Sequence, residues 1–467
     1  MNRLDIYLIA IGGTGMAPLA CLLQEEGHRV RGADGPLYPP MSTLLEAAGI
    51  APHVGWDAAH LEPPPDLVVV GNAVPRTNPE AVEVERRGLP RLSMPEALAR
   101  FFLADRRPLV VAGTHGKTTT STLAAWVYTA CGADPGYLVG GMPRDLPGSF
   151  RRGSGPRFIV EGDEYNAAYF DRGAKFLHYR PETLILTSVE YDHADLYPSP
   201  EALRAAYAEL IAQLPPSGLL VACGDSPDVV ELASRARCPV ATYGLEPHND
   251  LHPLAAPQAG ANGMRWRLRD SVVGEIEVEL GLWGAHNVGN ALAIWAAARR
   301  DGLPAEAVAS ALARFRGVRR RLEELGEAGA ITIIDDFAHH PTAVGKTLEA
   351  LRQRYPGRRL VALFEPRSLT AGRSFFFTPY VEAFAEADRV FFAPTFHAGR
   401  LSEGERLDLP GLCAALAHRG VAATACRSVD EVIAQALAEA RPGDVLVTMS
   451  SGSFDGAPRR LLAALQG

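Results

Sequence analysis

Lysine is nearly missing from this chain. Of 46 basic residues among 467, only Lys117, Lys175 and Lys346 are lysines. Arginine fills almost every generic surface charge, so a surviving ammonium marks a place where a compact charge is wanted and a planar guanidinium does not fit. Other absences narrow the field further. The six cysteines, Cys21, Cys131, Cys223, Cys238, Cys413 and Cys426, include no C-x-x-C pair, so neither a zinc site nor a disulfide framework is expected. There is no basic run, and the net charge is -8, which argues against nucleic acid as a partner. No apolar run reaches the ~20 residues that span a bilayer, so no membrane partner is expected. The apolar start, "MNRLDIYLIAIGGTG", ends in glycines rather than a small-residue cleavage site and reads as a first buried strand. These absences together point to a soluble cytoplasmic protein whose length suits about three domains.

What is present is strand–helix alternation. "DIYLIAIGG", "HRVRGAD" and "PDLVVVGNAV" alternate with helical patterns, as in a parallel sheet with crossovers. A second unit opens with "PLVVAGTHGKTTTSTLAAWVYTACG", and a third near Phe315, with "AITIIDDFAHHPTAVGKTLEALRQRY" and "RRLVALFEPRS". The stretch from Asp250 to Gly284 alternates like a small antiparallel insertion. The expected fold is α/β with three domains: a Rossmann-like unit over 1–105, a P-loop-type ATPase unit with a parallel sheet over 106–315, and a Rossmann-like unit over 316–467.

The segment "GTHGKTT", Gly113 to Thr119, lies between an apolar strand and a helix. Glycines there let backbone N–H groups and the helix N-terminus face an anion. Lys117 can reach phosphate, and the Thr118 hydroxyl can ligate Mg²⁺. "FIVEGDE" and "TSVEYDHADLY" put Glu161, Asp163, Glu164, Glu190, Asp192 and His193 just after strands, where metal and proton chemistry collects. Asn287 and Asn290 share one helix face. Asp335, Asp336, His339 and His340 form a polar lip whose spacing fits no zinc pattern. The "GVRRRLE" segment offers one phosphate clamp among Arg319, Arg320 and Arg321, the other two facing solvent. "IGGTGMAP" (Gly12, Gly13, Thr14, Gly15, Met16), with Asp34 further on, suits a nucleotide diphosphate, since Pro18 breaks the dinucleotide fingerprint.

Taken in order, these stretches resemble the Mur ligases, ATP-dependent amide-forming enzymes of bacterial cell-wall metabolism. Their short loop, G-T-x-G-K-[ST], matches at every position. "GNAVPRTNPE", "EGDEYNAAYFD", "EYDHADLY", "GAHNVGNALAI", "DDFAHHPTAV" and "FEPRS" carry the resemblance along the whole chain. It implies UDP-N-acetylmuramate at Gly12, Gly13, Thr14, Gly15, Met16, Asp34 and Asn72. It implies ATP at Gly113, Thr114, His115, Gly116, Lys117, Thr118 and Thr119, with Asn287 and Asn290 at the adenine, Arg320 at the phosphates and Asp335 at the ribose or a domain interface. Mg²⁺ would be held by Thr118 and Glu161, and a second ion by His193. The catalytic set is then Lys117, Glu161, His193 and His340, the last near the incoming amine. "YFDRGAKFLHYRPETLIL" and "FEPRSLTAGRS" favour the branch that adds the murein tripeptide L-Ala-γ-D-Glu-meso-diaminopimelate in peptidoglycan recycling, with Arg367 foremost, ahead of Arg373 and Arg400, as carboxylate forks. The alternatives are the branch that adds free L-alanine, a nicotinamide oxidoreductase and a non-enzymatic ATP switch.

Overall fold

The computed structural model describes residues 3–467 except 193 and 195. Three α/β sheets follow one another along the chain. The first is five parallel strands in the order His53–Val54, Arg29–Asp34, Asp5–Ile9, Leu67–Val70, Arg91–Ser93. Leu67–Val70 is buried throughout, so it reads as an unbroken apolar run.

The second sheet has seven strands, with Arg107–Ala112 at its centre, between Thr183–Leu186 and Arg157–Gly162. Both neighbours run parallel to it, and the register pairs Ala112 with Leu186 and with Gly162. That register delivers three loops side by side at the carboxyl edge, the usual place for ligands in such sheets. Phe150–Arg151 closes one edge antiparallel. The antiparallel insertion forms its own three-stranded sheet, Gln258–Gly260, Gly263–Asp270 and Gly274–Leu280. The alternating burial of Gly263–Asp270 fits a strand with one face on the core and one in water.

The third sheet has six strands, with Ile331–Asp336, Val445–Met449 and Leu360–Phe364 adjacent and parallel. Its first strand, Glu323–Ala328, is antiparallel. One apolar cluster runs from Ile6 and Leu8 through Phe101 and Phe102 to Phe158 and Tyr207, joining the first sheet to the second. No helix among the described residues is long and apolar enough to cross a membrane.

Candidate active site

The loop Gly113–Gly116 follows a fully buried strand end and opens the helix Lys117–Ala130. Gly113 and Gly116 have φ of +129° and +79°, a region glycine enters without strain. A side chain on Gly113 would also collide with Thr187 on the neighbouring loop. The neighbour holds the turn in place: Thr114 N–H donates to Ser188 O at 2.9 Å, His115 N–H to Ser188 Oγ at 3.0 Å, and Glu190 N–H to Thr114 Oγ1 at 2.8 Å.

Lys117 bends back over this loop. Its ammonium donates to Gly113 O at 2.7 Å and pairs with Glu164 at 2.8 Å, a carboxylate only 2% exposed. The sequence marks Glu164 as one of several strand-end acids, whereas the fold makes it the counter-ion of the loop lysine. Asp163 takes the second lysine, Lys175, at 2.9 Å. Thr118 donates its hydroxyl to Glu161 Oε1 at 2.9 Å, and Gly140 N–H donates to Glu161 Oε2 at 2.8 Å. A hydroxyl beside a carboxylate at a phosphate loop is an oxygen donor set suited to Mg²⁺. His193 lies outside the described residues.

The third sheet closes over this edge. Thr342 donates to Glu190 Oε2 at 2.6 Å, and the His115 and His340 rings stand 4.5 Å apart. His115, Glu190 and His340 bring one ligand atom each within 4.8 Å of the others. Burial works against the Glu190 carboxylate, but the hydrogen bond and charge of His115 outweigh it and lower its pKa to about 2. Burial, then the nearby His115 charge, lower His340 to about 3. His340 is therefore neutral near pH 7. Its Nδ1 accepts from Thr342 N–H and caps the helix Pro341–Arg354.

Two expectations shift by one residue. Arg321, not Arg320, reaches the loop, with its guanidinium donating to Thr118 Oγ1 at 3.3 Å. Arg320 instead spans the third sheet, paired with Asp335 at 3.3 Å and donating to Ser450 O at 2.9 Å. Its φ of +60° turns the chain there. Asp336, not Asp335, lines the cavity between the second and third sheets, together with His115, Gly116, Thr119, Asn287 and Asn290. Asn290 donates to Asn287 Oδ1 at 3.1 Å, and Asn287 to Trp283 O at 2.7 Å, so the two amides form one chain along the helix start.

At the first sheet, Asp34 accepts the Gly12 and Gly35 N–H groups, each at 2.7 Å. Thr14 and Gly15 complete the turn into the helix Met16–Glu25. The Met16 side chain points inward and is 4% exposed, which leaves only its backbone for a ligand. Asn72 is exposed just past the strand Leu67–Val70. In the third sheet, Arg367 pairs with buried Glu365 at 3.3 Å and lies 3.8 Å above the Phe396 ring. Arg373 is paired with Glu405 at 3.2 Å, and Arg400 is exposed.

Comparison with known proteins places this geometry in a family. Residues 5–106 match the Mur ligase family catalytic domain, 111–298 the Mur ligase middle domain, and 320–452 the Mur ligase glutamate ligase domain. The UDP-N-acetylmuramate–L-alanyl-γ-D-glutamyl-meso-2,6-diaminoheptandioate ligase of Escherichia coli strain K12 is 38% identical over 98% of both chains. The UDP-N-acetylmuramate–L-alanine ligase of Rubrobacter xylanophilus is 34% identical over 99% of this chain and 100% of its own. The crystal structure of a murein peptide ligase from Psychrobacter arcticus superposes with a TM-score of 0.73 at 32% identity, covering 99% of each chain.

Proposed function

Because the chain belongs to the Mur ligase family, we propose that it joins UDP-N-acetylmuramate to the tripeptide L-Ala-γ-D-Glu-meso-diaminopimelate at the expense of ATP. The observation that carries this reading is the 38% identity to a ligase named for that tripeptide across 98% of both chains. On this reading residues 1–105 take the nucleotide sugar, 106–315 the ATP and 316–467 the peptide, and the enzyme works in the cytoplasm as part of peptidoglycan recycling.

A carboxylate does not acylate an amine at neutral pH. Its oxygen attacks the γ-phosphorus of ATP, the bond to ADP breaks, and an acyl phosphate forms. The tripeptide's amine then attacks the carbonyl carbon, a tetrahedral intermediate collapses, and phosphate leaves. Such a phosphoryl transfer asks mostly for positioning and charge neutralisation. Lys117 exchanges Glu164 for phosphate oxygens when the nucleotide arrives. Thr118 and Glu161 have the oxygen chemistry and the spacing to hold Mg²⁺, which when bound neutralises phosphate charge. Neutral His340 stands by the incoming amine and does not repel it as a cation would. Closure of the third sheet over the second keeps water from the acyl phosphate. Arg367, held by Glu365 and Phe396, receives a distal carboxylate of the peptide.

The test is phosphate release with ATP and UDP-N-acetylmuramate, comparing kcat/KM for the tripeptide and for L-alanine in one preparation. The tripeptide wins if the reading holds. A tenfold preference for L-alanine overturns it in favour of the alanine-adding branch.

A further inference from the structure

Two of the three lysines have carboxylate partners, Lys117 with Glu164 and Lys175 with Asp163. Among the described residues, no hydrogen bond or ion pair holds the ammonium of the third, Lys346. It is half-buried on the helix Pro341–Arg354 and lines the same cavity as Gly116, Thr119, Asn287 and Asn290. Ala343, Lys346, Thr347 and Ala350 share one face of that helix, being three and four residues apart.

Helix packing fixes where this face looks. Gly284, at φ +97°, begins the helix Ala285–Arg300. A Cβ there would lie 2.8 Å from Ala350 and 2.7 Å from the His286 ring. The two helices therefore meet at Gly284 and Ala350, and Lys346, one turn earlier, stands beside His286. Burial first, and then the Lys346 charge, lower the His286 pKa to about 3, so the imidazole is neutral and supplies no counter-charge. The cavity's carboxylate, Asp336, is already taken by the N–H groups of Leu322 at 2.6 Å and Ala338 at 2.7 Å and by the Thr347 hydroxyl at 3.3 Å. The other cation lining it, Arg321, donates to Thr118.

A sequence of contacts locates the missing acceptor. Asn290 Oδ1 lies 3.1 Å from where a Gly116 Cβ would be, Asn290 bonds to Asn287, and Asn287 to Trp283. His286 lies on the same helix one turn before Asn290, with Lys346 beside it, so the pair is displaced along the helix from the contact with Gly116. We infer that Lys346 donates a hydrogen bond to a neutral acceptor on the nucleoside half of ATP, a ribose oxygen or a purine ring nitrogen. This rests on reading Gly113–Thr118 as the ATP loop. Lys346 belongs to the third sheet's domain and Asn287 and Asn290 to the second, so the nucleoside would tie the two together.

The experiment is calorimetric titration of the full-length protein and its Lys346→Met and Lys346→Arg variants with ATP, ADP and AMP. The methionine variant is expected to bind each nucleotide about tenfold more weakly, the scale of one hydrogen bond from a charged donor. The factor should be the same for all three, with part of it recovered by arginine. Unchanged affinity overturns the inference while leaving the ATP loop intact. A factor that grows with the number of phosphates also overturns it, by placing the ammonium on the phosphate chain. Absence of ATP and ADP binding by the unaltered protein overturns the ATP reading itself, and this inference with it.

Discussion

The loops Gly12–Gly15 and Gly113–Gly116 each leave the central strand of a sheet, between two parallel neighbours, and open a helix. Around the first, Asp34 gathers backbone N–H groups. Around the second stand Lys117 with Glu164, Thr118 with Glu161, and Arg321 reaching over from the third sheet. The same backbone device thus serves two ends. On the proposed function the first loop has only to bind a nucleotide diphosphate at a helix N-terminus. Moving a phosphoryl group needs concentrated charge of both signs, arranged before the substrate arrives.

The comparison breaks most severely at Lys117. Lys117→Arg is expected to lose at least ~1000-fold in turnover, because a longer planar guanidinium cannot take the place of the ammonium under Gly113. Binding of the nucleotide sugar should be unchanged. Near-normal phosphate release by this variant would sink the assignment of the loop.

Next comes Glu161. Glu161→Ala should cost about 100-fold and raise the Mg²⁺ concentration needed for half-maximal rate. If Asp163→Ala does this instead, the wrong carboxylate has been assigned to the metal, since Asp163 is engaged by Lys175.

Asp34 sharpens the contrast from the other side. Asp34→Ala should raise KM for UDP-N-acetylmuramate about tenfold with little change in kcat, the mark of binding lost equally in ground and transition states. A comparable fall in kcat would mean that the first loop takes part in the chemistry.

The smallest effect is on stability. The folded-state pKa of His340 lies below its ordinary 6.5, so as pH falls the unfolded chain binds the proton first. Stability is thus lost as pH drops below about 6.5, by about 1 kcal/mol from this one residue between pH 6.5 and 5.5. Urea unfolding at both values should show the loss, and His340→Phe should remove about 1 kcal/mol of it, leaving the similar share of His286. An equal slope in the variant would mean that other groups carry the pH dependence.

The strand–loop–helix at Gly113 and the antiparallel insertion were legible in sequence, because buried runs, glycines and period-two alternation are local signals. The Lys117–Glu164 pair was not, since its members are 47 residues apart and meet only through strand register. The scarcity of lysine was the one hint. Asp335 and Asp336 point to opposite faces of one strand end, so choosing the cavity residue needs the pleat, not the spelling. Arg320 and Arg321 trade places for a related reason. Positive φ at Arg320 and Leu322, +60° and +50°, swings the chain around between them, and no sequence pattern marks such a turn when neither residue is glycine. Arg373 was legible as a residue but not as an ion-pair partner, since Glu405 lies 32 positions away.

The central claim is that the second loop activates a carboxylate by phosphorylating it. The direct measurement uses UDP-N-acetylmuramate labelled with ¹⁸O in its lactyl carboxylate, together with ATP and the tripeptide, with mass analysis of the phosphate released. The account predicts one labelled oxygen in each phosphate formed in step with amide. Amide formation accompanied by unlabelled phosphate would contradict it.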